Sequence, residues 1–390
     1  MQPQTLVKFN GETFNHIKKS IKLKSKAGRQ RQKNPTYAAK VPEEIGIQLT
    51  HRCNLRCKHC FQWNEQGFFH RFDKEKQKAD LDISIIEKLL WETRENKSNL
   101  YIWGGEPLIH RHWDAVADLI EKDPRWTVLC TNGLLLEKKL ESILRISSHL
   151  ALLISIDGLE EQNDSIRGSG TFNRLMDNIK LLLSLQQTGQ YKGKISLNCV
   201  LSDGMVDKLY DFMEYAEMLG VDTLYFCFPW YISKNTALQM DQYFNENFSW
   251  LHTMDTETKA SWHSYTYHLN LSKIDQLKQE LEKLNARQWR IRIRLQPALE
   301  IHELEDFLKG REKTAQKRCQ CLAISNRMDV LADGHVSACK IFDQFIIGSL
   351  HDQGVIEIWQ SERFSRVRGI INRRLMPVCS KCILLYLNGI

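Results

Sequence analysis

The stretch Thr50-His51-Arg52-Cys53-Asn54-Leu55-Arg56-Cys57-Lys58-His59-Cys60 follows the alternating, strand-like run 45–49 and decides how the rest of the chain is interpreted. Its three thiols lie within eight residues at the spacing Cys-x3-Cys-x2-Cys. Thiolates are the usual protein ligands of iron–sulfur clusters, and this spacing lets one short loop fold around a single cluster. A four-iron cubane would be held at three corners by Cys53, Cys57 and Cys60, which leaves its fourth iron open to a small molecule.

Two other interpretations of this loop remain open from its residues alone. A zinc ion usually pairs two Cys-x2-Cys knuckles, or one knuckle with histidines, and would need a fourth ligand nearby. His51 and His59 are available, although both crowd the same loop. The thiols could also be buried and chemically inert.

The wording Cys53-Asn54-Leu55-Arg56-Cys57-Lys58-His59-Cys60 resembles the signature of the radical S-adenosylmethionine (radical SAM) enzymes. This resemblance implies a [4Fe-4S] cluster whose open iron is chelated by the amino and carboxylate groups of SAM. It further implies that one electron cleaves SAM to methionine and a 5'-deoxyadenosyl radical, which abstracts a hydrogen atom. His59, inside the motif, is expected among the cofactor-binding residues.

Composition indicates an ordinary globular protein. The chain has 390 residues, 42% of them hydrophobic and 26% charged, which suits two domains or one barrel with an appendage. We find no apolar run long enough to cross a bilayer and no signal-peptide segment at the start, so we expect a cytoplasmic protein without a membrane partner. Eight of the eleven cysteines fall in two clusters, which fits metal binding in a reducing compartment.

Positive charge is concentrated at the start of the chain. Residues 1–40 contain ten Lys or Arg and one acid, Glu12, so this segment carries a charge of +9. The whole chain carries +7, so the remaining residues are slightly acidic. We interpret residues 1–40 as a basic, solvated and flexible arm that could contact an acidic peptide. Nucleic acid is a less suitable partner, because the basic run lacks the interleaved aromatic residues that stack on bases.

From residue 41 the pattern alternates between strands and helices, which is typical of a parallel sheet with crossover helices. The pattern predicts strands at 45–49, 99–103, 126–130, 151–156, 194–201 and 222–228. It predicts helices at 82–96, 111–122, 136–147, 172–186 and 205–219. This order fits the α/β, partial (β/α)6 TIM-like barrel that the resemblance implies for residues 41–235, with the chemistry at the C-terminal ends of the strands.

Two further elements of the family follow predicted strands. Trp103-Gly104-Gly105-Glu106-Pro107 resembles the Gly-Gly-Glu-Pro element, which implies that Gly104, Gly105 and Glu106 meet the amino group of SAM. The glycines also permit a close approach of the backbone.

The fourth predicted strand ends in Ser155-Ile156-Asp157-Gly158, followed by Ile166-Arg167-Gly168. By resemblance, Ser155 would bond the ribose or carboxylate of SAM, and Arg167 would pair with its carboxylate. Asp157 is either a turn residue or part of the cofactor site. Asn198, on the fifth strand, is another candidate for the pocket.

Three single cysteines, Cys130, Cys199 and Cys227, lie within strand patterns. We interpret them as small apolar core residues. They deserve a check as hydrogen-atom donors, because epimerases of the family that this chain resembles can return a hydrogen atom from a thiol.

Residues 236–318 are expected to bridge the barrel and a C-terminal domain. Aromatic residues crowd the chain just before this region and in its first part (Trp230, Tyr231, Tyr243, Trp250, Trp262, Tyr265 and Tyr267). They either cover the substrate or pack a small local core.

A second group of cysteines lies in residues 319–390. Cys321 is followed by twelve residues, Gly334, four residues and Cys339, and later by Cys379-x2-Cys382. This is similar to the SPASM and twitch extensions of radical SAM enzymes. Two auxiliary clusters would need about eight thiolates, so we expect a twitch-like, truncated SPASM domain with one auxiliary [4Fe-4S] cluster on these four residues, and Cys319 spare. Zinc on the same four thiolates is the second candidate.

The sequence therefore predicts a radical SAM oxidoreductase or maturase supplied with electrons by an external flavodoxin- or ferredoxin-type donor. We expect its substrate to be a ribosomally synthesised precursor peptide that becomes cross-linked, epimerised or oxidised. The alternative is a small aminoglycoside- or cyclitol-like molecule that is oxidised or epimerised. A remote alternative is a non-enzymatic iron–sulfur redox protein.

Overall fold

The computed structural model of this chain describes residues 3–8, 11–251 and 259–390. Its strands are β1 (Gln4–Thr5), β2 (Glu44–Gln48), β3 (Asn99–Trp103), β4 (Thr127–Thr131), β5 (Leu150–Ser155), β6 (Lys194–Val200), β7 (Thr223–Cys227), β8 (Gln288–Trp289), β9 (Arg292–Gln296), β10 (Arg327–Val330), β11 (His335–Ser337) and β12 (Ile346–Ser349). Its α-helices are α1 (Gly11–Lys33), α2 (Lys74–Gln77), α3 (Ile83–Glu92), α4 (Trp113–Lys122), α5 (Leu140–Arg145), α6 (Glu160–Arg167), α7 (Thr171–Gln187), α8 (Leu209–Leu219), α9 (Lys234–Phe248), α10 (Ile274–Ala286), α11 (Leu304–Leu308), α12 (Ala323–Asn326), α13 (Val355–Gln360), α14 (Glu362–Arg373) and α15 (Ile383–Asn388).

One large sheet organises the fold. Its strand order is β12-β11-β10-β2-β3-β4-β5-β6-β7-β9, and every pair from β10 to β9 is parallel. The six central strands, β2 to β7, confirm the six predicted strands and the partial (β/α)6 architecture. Because parallel neighbours end at the same edge, the chemistry-bearing residues that follow them are brought together there.

The crossover helices follow the predicted pattern, with local differences. Asp82 caps α3 by accepting a hydrogen bond from the Ser84 amide at 2.7 Å, and Gly220 ends α8 with a φ of 78°. The predicted helix 136–147 begins as a 3₁₀ turn at Glu137–Lys139 before α5. The predicted start of the helix 205–219 is also a 3₁₀ turn, Asp203–Lys208.

The sheet extends beyond the six predicted strands on both sides. The region 236–318 contributes β9, which pairs with β7, and the C-terminal part contributes β10, which pairs with β2. At Gly46 of β2, a Cβ atom would collide with the side chains of Asp329 and Arg327, so the glycine makes room for β10. The bridging region and the cysteine-rich end are therefore built onto the barrel sheet; residues 252–258 of that region lie outside the described residues.

The basic segment at the start of the chain is not the flexible arm that its composition predicts. Residues 11–33 form α1, whose C-terminal half packs against the cysteine-rich end of the chain. Arg31 is fully buried and donates hydrogen bonds to Asn372 Oδ1 at 2.9 Å and Ser325 Oγ at 2.8 Å. These buried contacts explain why a segment of low hydrophobicity is ordered, while several of its lysines stay on the outer surface.

In the residues that the structure describes, no helix is both long and apolar enough to cross a bilayer.

Candidate active site

The three thiols of the first cysteine loop face a cavity of about 320 Å³ at the C-terminal edge of the sheet. Cys53, Cys57 and Cys60 line this central cavity together, and all eleven cysteines of the chain are free. Burial raises the pKa of Cys53 to about 12 and that of Cys57 to about 11. Such thiols stay protonated at neutral pH until a metal binds and removes their protons.

The residues of this loop suit a cluster better than a single zinc ion. His51 bonds the Lys76 carbonyl oxygen at 2.6 Å and Gln48 Oε1 at 3.0 Å, so both of its ring nitrogens are engaged. His59 Nε2 lies 2.7 Å from Asp157 Oδ2. Within the described ranges, no three His, Cys, Asp or Glu side chains are placed to bind one metal ion. A four-iron cubane requires a wider separation between the thiols than a single metal ion does, because each thiolate binds a different iron.

The Gly-Gly element holds the cysteine loop by its backbone. The Gly105 and Glu106 amides donate to the carbonyl oxygens of Thr50 and Arg52, each at 2.8 Å. Gly104 has a φ of 152°, and a Cβ on Gly105 would collide with the Arg52 carbonyl group. Only glycine permits the backbone to come this close to the cysteine loop. Both glycines also line the cavity beside the thiols.

Glu106 is not part of the described cavity lining, and its contact with SAM stays a prediction. Its fully buried carboxylate accepts hydrogen bonds from Thr131 Oγ1 at 2.8 Å, from the Asn132 amide at 2.7 Å and from the Leu108 amide at 3.0 Å. Burial raises the pKa of Glu106, and these hydrogen bonds oppose the rise. In this arrangement Glu106 fixes the turn after β4, whose Asn132 in turn donates to Asn54 of the cysteine loop at 2.8 Å.

Asp157 and Arg167 form a buried ion pair next to the thiols. Asp157 Oδ2 lies 2.8 Å from Arg167 Nε, and Arg167 reaches within 4.0 Å of Cys57 Sγ. Burial alone would raise the pKa of Asp157, but the charge of Arg167 and the contact with His59 lower it to about 2. Asp157 is therefore an ionised group that orients Arg167 and His59, both of which line the cavity.

Ser155 and Asn198 stand side by side at the cavity edge, because they are register partners on β5 and β6. Asn198 Oδ1 accepts a hydrogen bond from Cys227 Sγ at 3.0 Å. Cys130, which also lines the cavity, donates from Sγ to Tyr101 Oη at 2.8 Å. Cys130 and Cys227 therefore face the cavity.

Cys199, the third of the single cysteines, differs from the other two. Its side chain is fully buried and is absent from the described cavity lining. It fits the interpretation as a small core residue.

Aromatic rings from the barrel and from the bridging region together form one wall of the cavity. The rings of Phe61 and Tyr265 stack at 4.4 Å between centroids, and Trp230 stacks on Phe61 at 5.9 Å. Tyr267 also lines the cavity and meets His59 edge-on at 5.8 Å. Trp262, by contrast, is fully buried in the core. The aromatic group thus divides between cavity wall and core.

The C-terminal cysteines form a second site beside the first. Four thiols line one adjoining cavity, namely Cys321, Cys339, Cys379 and Cys382. Cys319 is exposed and lies outside that lining, with its Sγ 3.6 Å from the Ile390 carbonyl oxygen. The donor set of four buried or half-buried thiols fits a cluster that the protein ligates at every iron.

Several cavity residues were not singled out as site residues from the sequence. Tyr101, Trp103, Gln296 and Lys340 all line the central cavity. Tyr101 and Trp103 alternate on β3 before the Gly-Gly element, so the two-residue period of a strand could have identified them. Gln296 and Lys340 required knowledge of how β9 and the β10–β11 hairpin join the sheet.

Comparisons with known protein families match the two parts of the chain that contain the two groups of thiols. The family model described as "Radical SAM superfamily" matches residues 47–216, which contain the first cysteine loop. A second model, SPASM, described as "Iron-sulfur cluster-binding domain", matches residues 319–383, which contain the second group of thiols.

Curated relatives match between about a third and a half of the chain. The antilisterial bacteriocin subtilosin biosynthesis protein AlbA of Bacillus subtilis is 30% identical over 145 residues, 36% of this chain and 31% of that protein. A probable GTP 3',8-cyclase of Saccharolobus islandicus is 27% identical over 185 residues, 47% of this chain and 56% of that protein. The chain thus spans about a third to a half of these relatives.

Among solved structures, Streptococcus suis SuiB bound to its precursor peptide SuiA superimposes with a TM-score of 0.55 at 15% identity. The match covers 91% of this chain and 71% of SuiB. SuiB bound to S-adenosylmethionine gives a TM-score of 0.55 at 16% identity, covering 92% of this chain and 73% of SuiB. At this level of identity the likeness concerns the fold.

Proposed function

This chain belongs to the radical SAM superfamily and carries a SPASM-type iron–sulfur domain, and from this premise we propose that it is a peptide-modifying radical SAM enzyme. Its family uses iron–sulfur clusters and S-adenosylmethionine. The observation that carries the proposal is the set of three loop thiols, Cys53, Cys57 and Cys60, that face one cavity. When bound there, the cluster and SAM supply a 5'-deoxyadenosyl radical, which abstracts hydrogen from a substrate.

In this proposal Cys53, Cys57 and Cys60 are the ligands of the first cluster. The engagement of His51 with Lys76 and Gln48 leaves the thiols as the metal-binding groups that this loop presents to the cavity. Cys321, Cys339, Cys379 and Cys382 hold one auxiliary [4Fe-4S] cluster. Because four thiolates complete that cluster, its role is electron transfer rather than substrate binding.

The cofactor pocket would combine contacting and positioning residues. Gly104, Gly105 and Ser155 contribute directly, since they line the cavity beside the thiols. Arg167 would offer its free guanidinium nitrogens to the carboxylate of SAM while Asp157 holds its Nε side. Glu106 and His59 act in support, Glu106 through the turn at Asn132 and His59 through Asp157.

A precursor peptide is the substrate class that we favour. Two relatives support it by their names: AlbA, a bacteriocin biosynthesis protein, and SuiB, whose structure holds the precursor peptide SuiA. The stacked wall of Phe61, Trp230 and Tyr265 would suit an apolar or aromatic peptide side chain. The cavity of about 320 Å³ is too small for a folded domain, so a peptide would enter as an extended or looped segment.

A small-molecule substrate is the second candidate. The similarity to a GTP 3',8-cyclase favours it, as does the polar floor formed by Asn198, Cys227 and Gln296. If the reaction is an epimerisation, Cys130 and Cys227 are the thiols within reach of the cavity, and either would need re-reduction by the external one-electron donor after giving up a hydrogen atom.

Two assays test the proposal. Reconstituted protein with dithionite and SAM should release 5'-deoxyadenosine, and the variant lacking Cys53, Cys57 and Cys60 should release none. The absence of 5'-deoxyadenosine from the wild type would overturn the enzymatic function. Mass spectrometry then compares a peptide fraction with a metabolite fraction of the host cell after incubation. A mass loss or deuterium uptake confined to metabolites would overturn the peptide assignment alone.

A further inference from the structure

Lys340 occupies a position between the two cysteine sites. It directly follows Cys339 in the chain, beyond the end of β11. Its side chain lines the central cavity that contains Cys53, Cys57 and Cys60, and also the adjoining cavity that contains Cys321, Cys339, Cys379 and Cys382. A single lysine is thus part of the partition between the proposed SAM site and the proposed auxiliary cluster.

The ammonium of Lys340 rests on two aromatic faces. Its Nζ lies 3.9 Å from the ring centroid of Tyr101 and 5.0 Å from that of Trp103. In the part of the chain that the structure describes, this ammonium makes no direct ion pair or hydrogen bond, and the negative charge of Asp329 acts on it only through space. The nearby carboxylate of Asp329 is bound by Arg327, which donates to it from Nε at 3.0 Å and from Nη2 at 2.7 Å.

A cation in this position needs a counter-charge. Aromatic faces attract an ammonium, but they do not neutralise it, and an isolated buried charge is unfavourable. The other cation of the central cavity, Arg167, already has Asp157 as its partner. The four thiols behind Lys340 would provide the missing charge, since a cubane on four thiolates carries a net charge of minus two when oxidised and minus three when reduced.

We propose that Lys340 is the residue that raises the reduction potential of the auxiliary cluster and so makes that cluster the electron acceptor of the cavity. This inference rests on the proposed function, because it requires a cluster on Cys321, Cys339, Cys379 and Cys382. A fixed positive charge stabilises the more negative, reduced state more than the oxidised state. Because the ammonium stands on the cavity side of the cluster, the same charge favours movement of an electron from the substrate toward the cluster.

The experiment is a redox titration followed by electron paramagnetic resonance, in full-length protein that also carries Cys53→Ala, Cys57→Ala and Cys60→Ala. In that background only the auxiliary cluster contributes a signal, and no substrate is required. Lys340→Met removes the charge and keeps much of the volume, whereas Lys340→Arg keeps the charge. Lys313→Met, which removes an exposed cation, is the matched control.

We expect Lys340→Met to lower the ratio of reduced to oxidised cluster at least tenfold at the potential where the parent protein is half reduced, a shift of about 59 mV for one electron. Lys340→Arg and Lys313→Met should titrate with the parent. An unchanged titration of Lys340→Met at full iron content would overturn the role of Lys340. If Lys340→Met loses iron, Lys340→Gln is used in its place. The reduction potential of Lys340→Gln is then compared with that of Lys340→Arg, and equal potentials would overturn the role of Lys340.

Failure of the cluster assignment has a different signature. A parent protein that binds no iron in this background, or binds zinc instead, would refute the auxiliary cluster itself. A parent that holds about four irons and a Lys340→Met variant with the same potential would refute only the inference about Lys340.

Discussion

Arg167 and Asp157 form a fully enclosed ion pair, with 2.8 Å between Nε and Oδ2, directly beside the thiol of Cys57. The pair joins the end of β5 to the end of α6 and keeps a guanidinium pointing at the proposed cofactor site. Such a pair holds the site in shape even before a cofactor arrives.

Asp157→Asn should weaken both the fold and the cofactor site. It leaves the Arg167 charge buried without a partner, and breaking a buried pair in this way costs about 3–5 kcal/mol. Urea denaturation of the apo-protein measures this loss, and SAM binding to the reconstituted protein measures the second effect. Glu160→Gln, at an exposed carboxylate that accepts from Asn173 at 2.7 Å, should behave like the wild type. Equal stability of the Asp157 variant would show that the pair is dispensable.

Gly105→Ala should prevent the first cysteine loop from holding iron. The added Cβ would collide with the Arg52 carbonyl group, at the point where the Gly-Gly element is hydrogen-bonded to the cysteine loop. We expect iron content to fall from about eight to about four per chain, as measured by a colorimetric iron assay. At Gly204 a Cβ would meet nothing closer than 3.8 Å, so Gly204→Ala serves as the control. Full iron content in both variants would contradict this account of the loop.

The two groups of cysteines should lose iron independently. Replacing Cys53, Cys57 and Cys60 by Ala should leave about four of about eight irons and abolish SAM cleavage. Cys319→Ala should keep all of the iron, because that thiol lies outside the second cavity. A total of about four or about twelve irons in the wild type would refute a single auxiliary cluster, and a loss of iron in Cys319→Ala would make Cys319 a ligand.

The turn between β10 and β11 should make a small, pH-dependent contribution to stability. The carboxylate of Asp333, with its Oδ1 3.2 Å from His335 Nδ1, raises the pKa of His335 against the opposing effect of burial. The histidine is thus charged in the fold at a pH where it is neutral in the unfolded chain. This stabilisation is complete below the unfolded pKa of His335 and is lost as pH rises through its folded pKa.

Urea denaturation of the apo-protein between pH 5 and 9 would detect this effect. It should amount to less than about 1 kcal/mol, since the histidine is partly exposed and solvent screens the pair. Asp333→Asn should remove this part of the pH dependence. A stability that rises through the same pH range only when Asp333 is present would reverse the assignment.

Arg31→Met should release α1 from the cysteine-rich end of the chain. The substitution removes the buried donor of Ser325 Oγ and one of the donors of Asn372 Oδ1, which also accepts from Gln320, at a cost of about 1–3 kcal/mol. Limited proteolysis should cut within residues 11–33 faster in this variant than in the wild type. Lys26→Met, on the exposed side of the same helix, is the control, and equal cleavage of both variants would show that Arg31 does not anchor the helix.

The sequence predicted the parts of this protein that are local along the chain. The cysteine loop and the Gly-Gly element are short, and their neighbouring strands and helices repeat with clear periods. The direction of the Glu106 side chain is different, because Thr131 and Asn132, which bind it, follow another strand.

The same limit applies to the rest of the fold. β9 and β10 are short strands whose partners lie far away in sequence, so only the closed sheet shows that Gly46 must accommodate Asp329 and Arg327. The ordering of α1 depends on Arg31 finding Asn372, 341 residues further along. Charge composition indicated a solvated arm because it counts cations without regard to such distant acceptors.

The pairing of β10 with β2 has a consequence for electron transfer between the two proposed clusters. The cysteine loop follows β2, and the hairpin that leads to Cys339 begins with β10. The two thiol sites are therefore attached to adjacent strands of one continuous sheet. Electron tunnelling weakens steeply with separation. A spacing set by the hydrogen-bonded strands of one sheet would hold the two proposed clusters at a constant separation, so an electron could cross between them without any movement of one domain against another.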